Sequence, residues 1–546
     1  NYLFARKHKG KMILRIEDTD QNRFVPGAEA YIKETLGWLG IEIDEGPDQG
    51  GPHAPYRQSE RKPMYMEYAL RLVEQDLAYY AFDTPEELEQ MRERLKEAGS
   101  QTPQYNSITR IQMRNSLTLP REEVMRLIES GVPYVIRLKV PRKEEVRLND
   151  LIRGWVVVHS SQIDDKVLMK SDGMPTYHLA NVVDDYLMKI THVIRGEEWL
   201  PSAPLHVLLY RFLGWEKQMP QFAHLPLLLK PDGNGKLSKR DADRMGFPIF
   251  PLTWTDPENG EVAVGYQESG YLPEALINFL ALLGWNPGTE TELFSMAELV
   301  EAFSLERINK AGAKFDILKA QWFNQQYLRA KSDSQLADYL LSSLAQEGIP
   351  CPTDTAYKVA SLMRDRITFP QDIWLSGKYF FVAPASFDQT VVSKKWNADI
   401  ERVLETFAAK VQTLDGVQAE TVKALLEQSA QEMGVPIGKV LQPFRVAITG
   451  AVRALSGDPA LGEALVMNYR VAPVTPRQRA MLDFAVLMTG ASATIGEADR
   501  EGLRAHGFSD RDIWDIAAVA GFFNMSNRMA SAVDMRPNPE YHAQAR

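Results

Sequence analysis

The hydrophobic periodicity of the chain changes character once, and this change most constrains what the chain can fold into. Before about residue 245, short apolar runs alternate with helical patterns. The predicted strands are Met12–Ile16, Tyr134–Val140, Gly154–Val158, His192–Arg195 and Ala223–Leu229. From Leu272 onward, apolar residues recur almost wholly at helical spacing. The first part therefore predicts an α/β domain, and the second predicts an all-α region.

Helical patterns fill the intervals between the predicted strands. In the first part the predicted helices are Ala28–Gly40, Ser59–Gln75, Pro85–Gly99, Arg121–Gly131, Tyr177–Tyr186 and Pro204–Leu213. In the second part they include Leu318–Leu328, Ser334–Ala345, Ile400–Leu414 and Val417–Met433. Residues of the middle section read as an α/β insertion between two halves of a nucleotide-binding sheet.

The composition excludes several classes of protein. The 546 residues contain one cysteine, Cys351, which rules out a disulfide framework and a Cys-rich zinc site and favours a reducing cytoplasm. The most apolar stretch, Leu272–Trp285, is interrupted by polar residues and is shorter than the ~20 residues of a membrane span, so no membrane partner is expected. The net charge of −10 still permits nucleic-acid binding through a localised basic face.

Two loops at predicted strand ends carry chemistry. Glu17-Asp18-Thr19-Asp20 follows the first predicted strand, where ligand contacts of an open α/β sheet are usually found. The loop Gly235–Arg240 (GKLSKR) follows the last strand and combines three cations with a hydroxyl. Mobile ammonium groups can neutralise a triphosphate and follow the charge that develops during displacement at phosphorus. Taken alone, the loop is equally compatible with a solvated basic turn.

The order of the motifs along the chain resolves this choice. The loop resembles the KMSKS signature of class I aminoacyl-tRNA synthetases, in the KLSKR form of glutamyl-tRNA synthetases. Further matches follow in family order: Arg15–Asp20 (RIEDTD), Tyr56–Ser59 (YRQS), Met174–Val182 (MPTYHLANV), His192–Leu200 (HVIRGEEWL), Phe279–Trp285 (FLALLGW), Trp322–Leu328 (WFNQQYL) and Gly438–Thr449 (GKVLQPFRVAIT). Over about residues 1–450 the chain resembles the bacterial glutamyl-tRNA synthetase family.

The resemblance implies a Rossmann-type catalytic domain with an α/β insertion, followed by all-α C-terminal domains. It implies that glutamate and ATP with Mg²⁺ form glutamyl-adenylate, and that the glutamyl group passes to the 3′ end of tRNA(Glu). Lys236, Ser238 and Lys239 match the positions that contact the ATP phosphates. Glu198 and Trp199 match residues that support the nucleotide.

Four residues match the glutamate-binding positions of the family. Glu17 matches the residue that holds the amino group of glutamate, and Arg195 with Tyr177 and Asn181 matches the side-chain pocket. A guanidinium can pair with the γ-carboxylate through two hydrogen bonds and serves glutamine poorly. Considered singly, Arg195 could form an ordinary ion pair at a strand end, Glu17 could be a turn residue, and the other two could serve packing and capping.

The resemblance also divides the chain into regions. Residues 1–78 and 176–245 correspond to the two halves of the catalytic domain, 79–175 to a connective insertion that binds the tRNA acceptor end, 246–330 to a stem-contact region, 331–450 to a helical anticodon-binding region, and 451–546 to a helical tail. Plausible phosphate contacts in the insertion are Arg110, Arg114, Arg137, Lys139, Arg142 and Lys143, each of which could also be an ordinary solvated surface charge.

No metal ion is expected to be bound by the protein itself. Some family members carry a cysteine zinc knuckle in the insertion, but Tyr79–Asp83 (YYAFD) occupies that region without a thiol. Residues 18–29 show the ligand spacing of a calcium loop, but Arg23 stands where the sharp turn needs glycine. We therefore expect neither zinc nor calcium.

Both ends of the sequence depart from the family pattern. The HIGH signature and the first strand would precede Asn1, and we expect a chain without them to be inactive or nearly so, because the signature stabilises the ATP phosphates. From about Val452 the tail resembles the C-terminal half of alkylhydroperoxidase D and carboxymuconolactone decarboxylase-like proteins, and no lysine follows Lys439. Family members are usually monomeric, but an exposed half-domain predicts association through Phe522, Phe523 and Met525.

Several alternatives stay open from the sequence. A glutaminyl-tRNA synthetase shares the class I motifs, and a non-catalytic tRNA-binding fragment would bind tRNA with strong salt dependence but release no pyrophosphate. A peroxide reductase is disfavoured because the tail contains no cysteine. The tail could instead be a divergent all-helical synthetase C-terminus.

Overall fold

The computed structural model of the chain describes two compact units. The described residues are 1–449 without 21–22, 232, 234, 239–240, 242–244 and 414–418, together with 480–481, 483–484, 495–510, 513 and 516. The first unit comprises residues 1–331 and 368–370, and the second begins at Ser332 and includes the described part of the tail. The first unit is an α/β structure, whereas the second is built from helices.

Among the described residues of the first unit, seven α-helices end before residue 213. They are α1 (Tyr2–Lys7), α2 (Ala28–Trp38), α3 (Lys62–Glu74), α4 (Pro85–Glu97), α5 (Arg121–Glu129), α6 (Tyr177–Leu187) and α7 (Ala203–Phe212). The start of α4 shows how the sequence sets a boundary. The Thr84 hydroxyl accepts from the Glu87 backbone N–H, Glu87 bonds back to Thr84, and Pro85 occupies the first turn.

The strands of the first unit are short and form several small sheets. They are β1 (Ala78–Ala81), β2 (Val135–Leu138), β3 (Glu145–Asp150), β4 (Gly154–His159), β5 (Val167–Met169), β6 (His192–Gly196), β7 (Gln221–Leu225), β8 (Leu228–Leu229), β9 (Trp254–Thr255), β10 (Val262–Ala263) and β11 (Ala313–Lys314). An antiparallel sheet has the order β1-β2-β5, and β3 and β4 form an antiparallel pair. β6 pairs with β7 in parallel, β8 with β11 in parallel, and β9 with β10 antiparallel.

The parallel pair β6–β7 determines where the candidate site lies. Its register places Arg195 opposite His224 near the carboxyl ends of both strands. Phe222 and Ala223 of β7 are buried apolar residues. Arg195 and His224 are therefore polar residues within an otherwise apolar layer. This is the position at which open α/β sheets bind ligands.

Two predicted strands differ from the structure. Met12–Ile16 is not a continuous strand but an extended segment with two isolated parallel bridges, Ile13 to Glu45 and Ile16 to Arg57, because its partners lie in loops. The predicted strand Ala223–Leu229 is divided into β7 and β8 by Pro226, which has no N–H to donate to a ladder.

The main core of the first unit joins its helices to its sheets. Tyr65 and Leu72 of α3, Leu179 of α6 and Leu208 and Tyr210 of α7 all belong to one buried cluster. Side chains of β2, β3 and β7 complete this cluster. The site residues on α6, β6 and β7 are therefore carried by a densely packed scaffold.

Further helices follow in both units. In the first unit these are α8 (Pro273–Leu282), α9 (Met296–Ala302) and α10 (Ile317–Ala330); in the second they are α11 (Asp333–Gln346), α12 (Thr353–Met363), α13 (Asp372–Gly377), α14 (Gln389–Lys395), α15 (Ala398–Val411), α16 (Ala419–Glu432), α17 (Ile437–Thr449) and α18 (Glu497–Ala505). Ile400, Val403 and Phe407 of α15 pack with α16 and α17 in a common core. The prediction of an all-α region after the α/β part is confirmed for the residues described.

The described tail residues contribute one small cluster. Leu503 of α18 packs with Phe484 and Ile513. The residues predicted to promote association, Phe522, Phe523 and Met525, lie outside the described part of the chain. Among the described residues, no helix combines the length and the hydrophobicity that a membrane crossing requires.

Candidate active site

Arg195 is held at the carboxyl end of β6 by contacts on three sides of its guanidinium. One Nη donates to the Tyr177 hydroxyl at 2.8 Å, and Nε donates to His224 Nε2 at 3.1 Å. The other Nη faces the Trp199 carbonyl at 3.4 Å. Tyr177 opens helix α6, and burial raises the pKa of its hydroxyl, so it stays protonated at neutral pH. The predicted pairing of Arg195 with Tyr177 is thus seen directly.

Glu17 and Asn181 are brought together by Arg15. An Nη of Arg15 donates to Glu17 at 3.0 Å, and the other Nη donates to Asp185 at 2.9 Å. With its amide oriented by the hydrogen-bond network, Asn181 accepts from Arg15 at 3.0 Å and donates to Asp185 at 3.2 Å. Burial alone would lower the pKa of Arg15, but Asp185, Glu17 and Asp184 outweigh it and hold that pKa above its ordinary value.

Two histidines and the ring of Trp199 lie close to Tyr177, the residue that bonds to Arg195. Tyr177 contacts Trp199 with ring centroids 4.7 Å apart, and the buried His206 at 5.7 Å. His178 Nδ1 lies 3.1 Å from His206 Nε2, so one of these two nitrogens donates a hydrogen bond to the other. Burial lowers the pKa of His178 to about 4 and lowers that of His206 well below its ordinary value. Near pH 7 both rings are therefore neutral.

The predicted phosphate loop begins as a tight hairpin. Lys236 bridges back to Leu229, and its ammonium group lies 2.9 Å from Glu198 of the loop after β6. This ammonium group lowers the pKa of Glu198. The contact joins Lys236 of the KLSKR loop to the segment that carries Trp199, so one predicted phosphate-binding residue lies beside a predicted nucleotide-supporting residue, Glu198.

The rest of the loop is described in part. The Ser238 hydroxyl donates to the Asp241 carboxylate at 2.5 Å, and Lys230 lies 3.0 Å from the other Asp241 oxygen. Asp241 therefore orients the Ser238 hydroxyl. Lys239, predicted to be the central phosphate contact, lies outside the described residues.

The structure changes the interpretation of two cations in the insertion. Arg110 and Arg137 are buried, and both bond to Asp165: Arg110 to its carboxylate at 3.0 Å and Arg137 to its carbonyl at 2.9 Å. Arg137 also stacks over the Tyr105 ring at 4.0 Å. Both guanidiniums are committed to the interior, so their prediction as phosphate contacts was wrong.

The other four cations of the set reach the surface to different extents. Arg142 donates twice to the Ser107 carbonyl, at 2.9 and 2.7 Å, and Lys139 pairs with Asp76. Arg114 is half-buried and Lys143 is exposed. These four residues stay predicted tRNA contacts.

Sequence reasoning missed the residues that orient the predicted ones. The RIEDTD motif contains Arg15 but does not show that this residue links Glu17 and Asn181. The apolar pattern of the last predicted strand contains His224 but does not show that this residue bonds to both Arg195 and Asp150. A polar residue in the middle of an apolar strand, as in AHLPLLL, is the signal that could have found His224.

No group of three or more His, Cys, Asp or Glu side chains is arranged to hold a metal ion within the part of the chain that the structure describes. Arg195 supplies a cation that bonds to Tyr177 and His224, and Glu17 supplies a carboxylate that bonds to Arg15.

Comparison with known proteins defines the class first. A model of the catalytic domain of class I tRNA synthetases (E and Q) matches residues 1–322, and a model of an anticodon-binding domain matches residues 334–459. The fold is therefore a class I catalytic domain followed by an anticodon-binding domain.

The relatives narrow the class to one family. The glutamate–tRNA ligase of Cytophaga hutchinsonii is 63% identical over 452 residues, which is 83% of this chain and 87% of that protein. The glutamate–tRNA ligase of Amoebophilus asiaticus is 60% identical over 82% of this chain and 88% of that protein. A crystal structure of a glutamate tRNA ligase from Elizabethkingia meningosepticum, in complex with its amino acid, is 49% identical with a TM-score of 0.78, covering 83% of this chain and 89% of that one. The chain belongs to the glutamate–tRNA ligase family.

Proposed function

We propose that this chain is a glutamate–tRNA ligase of the bacterial type. It activates glutamate with ATP and transfers the glutamyl group to the 3′ end of tRNA(Glu). The observation that carries the proposal is the guanidinium of Arg195, held by Tyr177 and His224, together with the Arg15–Glu17–Asn181 cluster, whose Glu17 carboxylate interacts electrostatically with the same Tyr177. High identity to glutamate–tRNA ligases over most of the chain supports the same conclusion and does not favour the glutaminyl alternative.

Recognition of glutamate follows from the charges of this pocket. Arg195 pairs with the γ-carboxylate, because a guanidinium can donate two parallel hydrogen bonds to it. Glutamine would place an amide N–H₂ against a donor and leave the guanidinium without its anionic partner. Glu17 accepts from the α-ammonium group, and Tyr177 and Asn181 complete the hydrogen-bonding shell.

The two chemical steps use the phosphate loop and the tRNA. An α-carboxylate oxygen of glutamate attacks the α-phosphorus of ATP, and pyrophosphate leaves. Lys236, Ser238 and Lys239 stabilise the negative charge on the phosphates of the ATP–Mg²⁺ substrate, while Glu198 and Trp199 support the nucleotide. A ribose hydroxyl of the terminal adenosine then attacks the glutamyl carbonyl carbon, and AMP leaves.

The tRNA contacts are assigned by region. Residues 79–175 face the acceptor end through Arg114, Lys139, Arg142 and Lys143, and the helical region 331–450 reads the anticodon. Phosphate contacts make the affinity fall with salt concentration. We propose that the synthetase part acts as a monomer in the cytoplasm and holds no zinc.

The experiment that tests this function is tRNA charging with labelled glutamate. It compares the chain as printed with a version that carries a HIGH-containing segment ahead of Asn1, and labelled glutamine serves as the competing substrate. We expect the version with the added segment to charge glutamate in an ATP-dependent reaction. Charging of glutamine in preference to glutamate, or binding of tRNA without any charging, would overturn the proposal.

Residues 452–546 are proposed to derive from an alkylhydroperoxidase-like helical domain. Because this region has no cysteine, we expect no peroxide reduction. Consumption of hydrogen peroxide by the purified chain, with a thiol reductant present, would contradict the expectation that the tail reduces no peroxide.

A further inference from the structure

A buried carboxylate and a buried imidazole stand behind Arg195. His224 Nε2 lies 3.1 Å from Arg195 Nε, and His224 Nδ1 lies 2.6 Å from an Asp150 carboxylate oxygen. The side chains of His224 and Asp150 are both 0% exposed. A line of hydrogen bonds therefore runs from Asp150 through His224 to the guanidinium that faces the pocket.

The chemistry of arginine fixes the position of the proton on this imidazole. The Nε of a guanidinium is always a donor, so His224 Nε2 must accept and cannot carry a proton. The imidazole proton then resides on Nδ1 and points at Asp150. A short N···O distance of 2.6 Å fits a hydrogen bond to an ionised carboxylate.

Asp150 is also anchored by backbone groups, independently of the His224 ring. Its second oxygen accepts from the backbone N–H groups of Ile152 at 3.0 Å and Arg153 at 2.8 Å, just beyond the end of β3, and from that of His224 at 3.3 Å. Burial would raise the pKa of Asp150, but the hydrogen bonds from His224 and these N–H groups outweigh it and hold that pKa below its ordinary value. The carboxylate is therefore a fixed anion that selects the imidazole tautomer.

We propose that Asp150 and His224 are positioning residues for glutamate recognition. They hold Arg195 Nε toward the protein, so that its two terminal nitrogens face Tyr177 and the γ-carboxylate of glutamate. This inference rests on the proposed function and deepens it by naming what sets the affinity for glutamate. Asp150 closes strand β3 of the insertion, so the insertion contributes directly to the amino-acid pocket.

The sharpest test is Asp150→Asn, which preserves the shape of the side chain at position 150 and reverses the tautomer of the His224 imidazole. The asparagine oxygen can still accept from Ile152 and Arg153, while its N–H₂ group faces His224 Nδ1. Nδ1 must then accept, so the proton moves to Nε2 and confronts the Arg195 Nε–H group. Two donors facing each other in a buried site displace the guanidinium.

In the version with the added HIGH-containing segment, we expect Asp150→Asn to raise the KM for glutamate by about tenfold to a hundredfold, because a buried donor loses its acceptor. The KM values for ATP and tRNA should change by less than about twofold, since the pair bonds to none of the described residues of the phosphate loop. Such a difference between substrates separates positioning from general damage. Asp165→Asn is a matched control: Asp165 is also fully buried but bonds to Arg110 and Tyr79. Equal effects of the two variants on all three KM values would overturn the proposal.

A second pair of variants covers the case in which Asp150→Asn unfolds. His224→Gln retains an oxygen that can accept from Arg195, whereas His224→Phe retains ring volume without an acceptor. The proposal predicts that the glutamate KM of His224→Gln stays closer to that of the unchanged chain. Equal glutamate KM values for the two variants, at equal thermal stability, would refute it.

The imidazole tautomer supplies a readout that does not require activity. In the chain labelled with ¹⁵N at its nine histidines, the resonance lost in His224→Gln identifies His224, and its shifts report which nitrogen carries the proton. We expect the Nδ1–H form in the unchanged chain and the Nε2–H form in Asp150→Asn. An Nε2–H or doubly protonated ring in the unchanged chain would refute the positioning pair. If the version with the added HIGH-containing segment shows the Nδ1–H form but does not charge tRNA, that result counts against the proposed function alone.

Discussion

Replacement of Asp184 tests whether the scaffold behind Glu17 depends on one buried carboxylate. The Asp184 side chain is 0% exposed and accepts from Arg61 Nε at 2.7 Å, Gln58 Nε2 at 2.9 Å and the Tyr65 hydroxyl at 2.7 Å. Arg15 Nε lies 4.0 Å away. These partners come from two separate segments, so Asp184 joins the extended segment after α1 and the residues around the start of α3 to helix α6.

The expected magnitude follows from what each substitution leaves behind. Asp184→Ala leaves the guanidinium of Arg61, whose side chain is 3% exposed, without its carboxylate partner. This substitution should lower the free energy of unfolding by about 3–5 kcal/mol. Asp184→Asn keeps part of the hydrogen bonding and should lower it by about 1–3 kcal/mol. Tyr65→Phe removes a single hydrogen bond and should lower it by about 1 kcal/mol.

Urea unfolding followed by tryptophan fluorescence measures these differences. Trp215 stacks on Tyr186 of helix α6 with ring centroids 3.9 Å apart, so it reports on the helix that carries Asp184. Asp48→Ala is the control, because Asp48 pairs with Lys33 at the surface, and its loss should change the free energy of unfolding by less than about 1 kcal/mol. If Asp184→Ala costs no more than Asp48→Ala, the desolvation of the buried pair cancels its attraction, and our reasoning is wrong.

Three further predictions concern pH, the phosphate loop and the insertion. The pKa of His178 is about 4 in the folded chain against 6.5 in the unfolded chain, so unfolding takes up a proton, and stability should fall as the pH drops from 6.5 to 4. The urea midpoint should depend less on pH over this range in His178→Asn. An unchanged pH dependence in that variant would contradict the lowered pKa of His178. In the version with the added HIGH-containing segment, Lys236→Ala should lower kcat for charging by about a hundredfold, whereas Lys217→Ala, in an exposed 3-10 helix, should leave it unchanged; equal rates would exclude Lys236 from the phosphate site. Arg110→Gln should lower the thermal midpoint without changing the salt dependence of tRNA binding, and a shallower salt dependence would restore Arg110 as a phosphate contact.

The order and type of most elements were predictable because the periodicity is strong. Helix α6 was predicted as Tyr177–Tyr186 and is Tyr177–Leu187, and the start of α4 follows from Thr84 and Pro85. The segment Met12–Ile16 was predicted as a strand because it is apolar and extended. Its partners lie in loops, which a local pattern does not reveal, so it forms only isolated bridges.

The residues of the site were easier to predict from the sequence than the hydrogen bonds and ion pairs between them. The family resemblance grouped Arg195 with Tyr177 and Asn181. The structure bonds Arg195 to Tyr177, whereas Asn181 bonds to Arg15 and Asp185, and Arg15 also bonds to Glu17. Arg110 was misjudged because charge in a sequence does not show burial; its partner Asp165 is 55 residues away in the chain. His224 and Asp150 escaped notice for the same reason, because they are 74 residues apart.

A crystal structure of the chain with bound glutamate would test the central claim most directly. We predict that the γ-carboxylate lies within hydrogen-bond distance of Arg195 and Tyr177, that the α-ammonium group contacts Glu17, and that Arg195 Nε remains bonded to His224. A glutamate whose γ-carboxylate contacts other residues while Arg195 stays unoccupied would contradict the account.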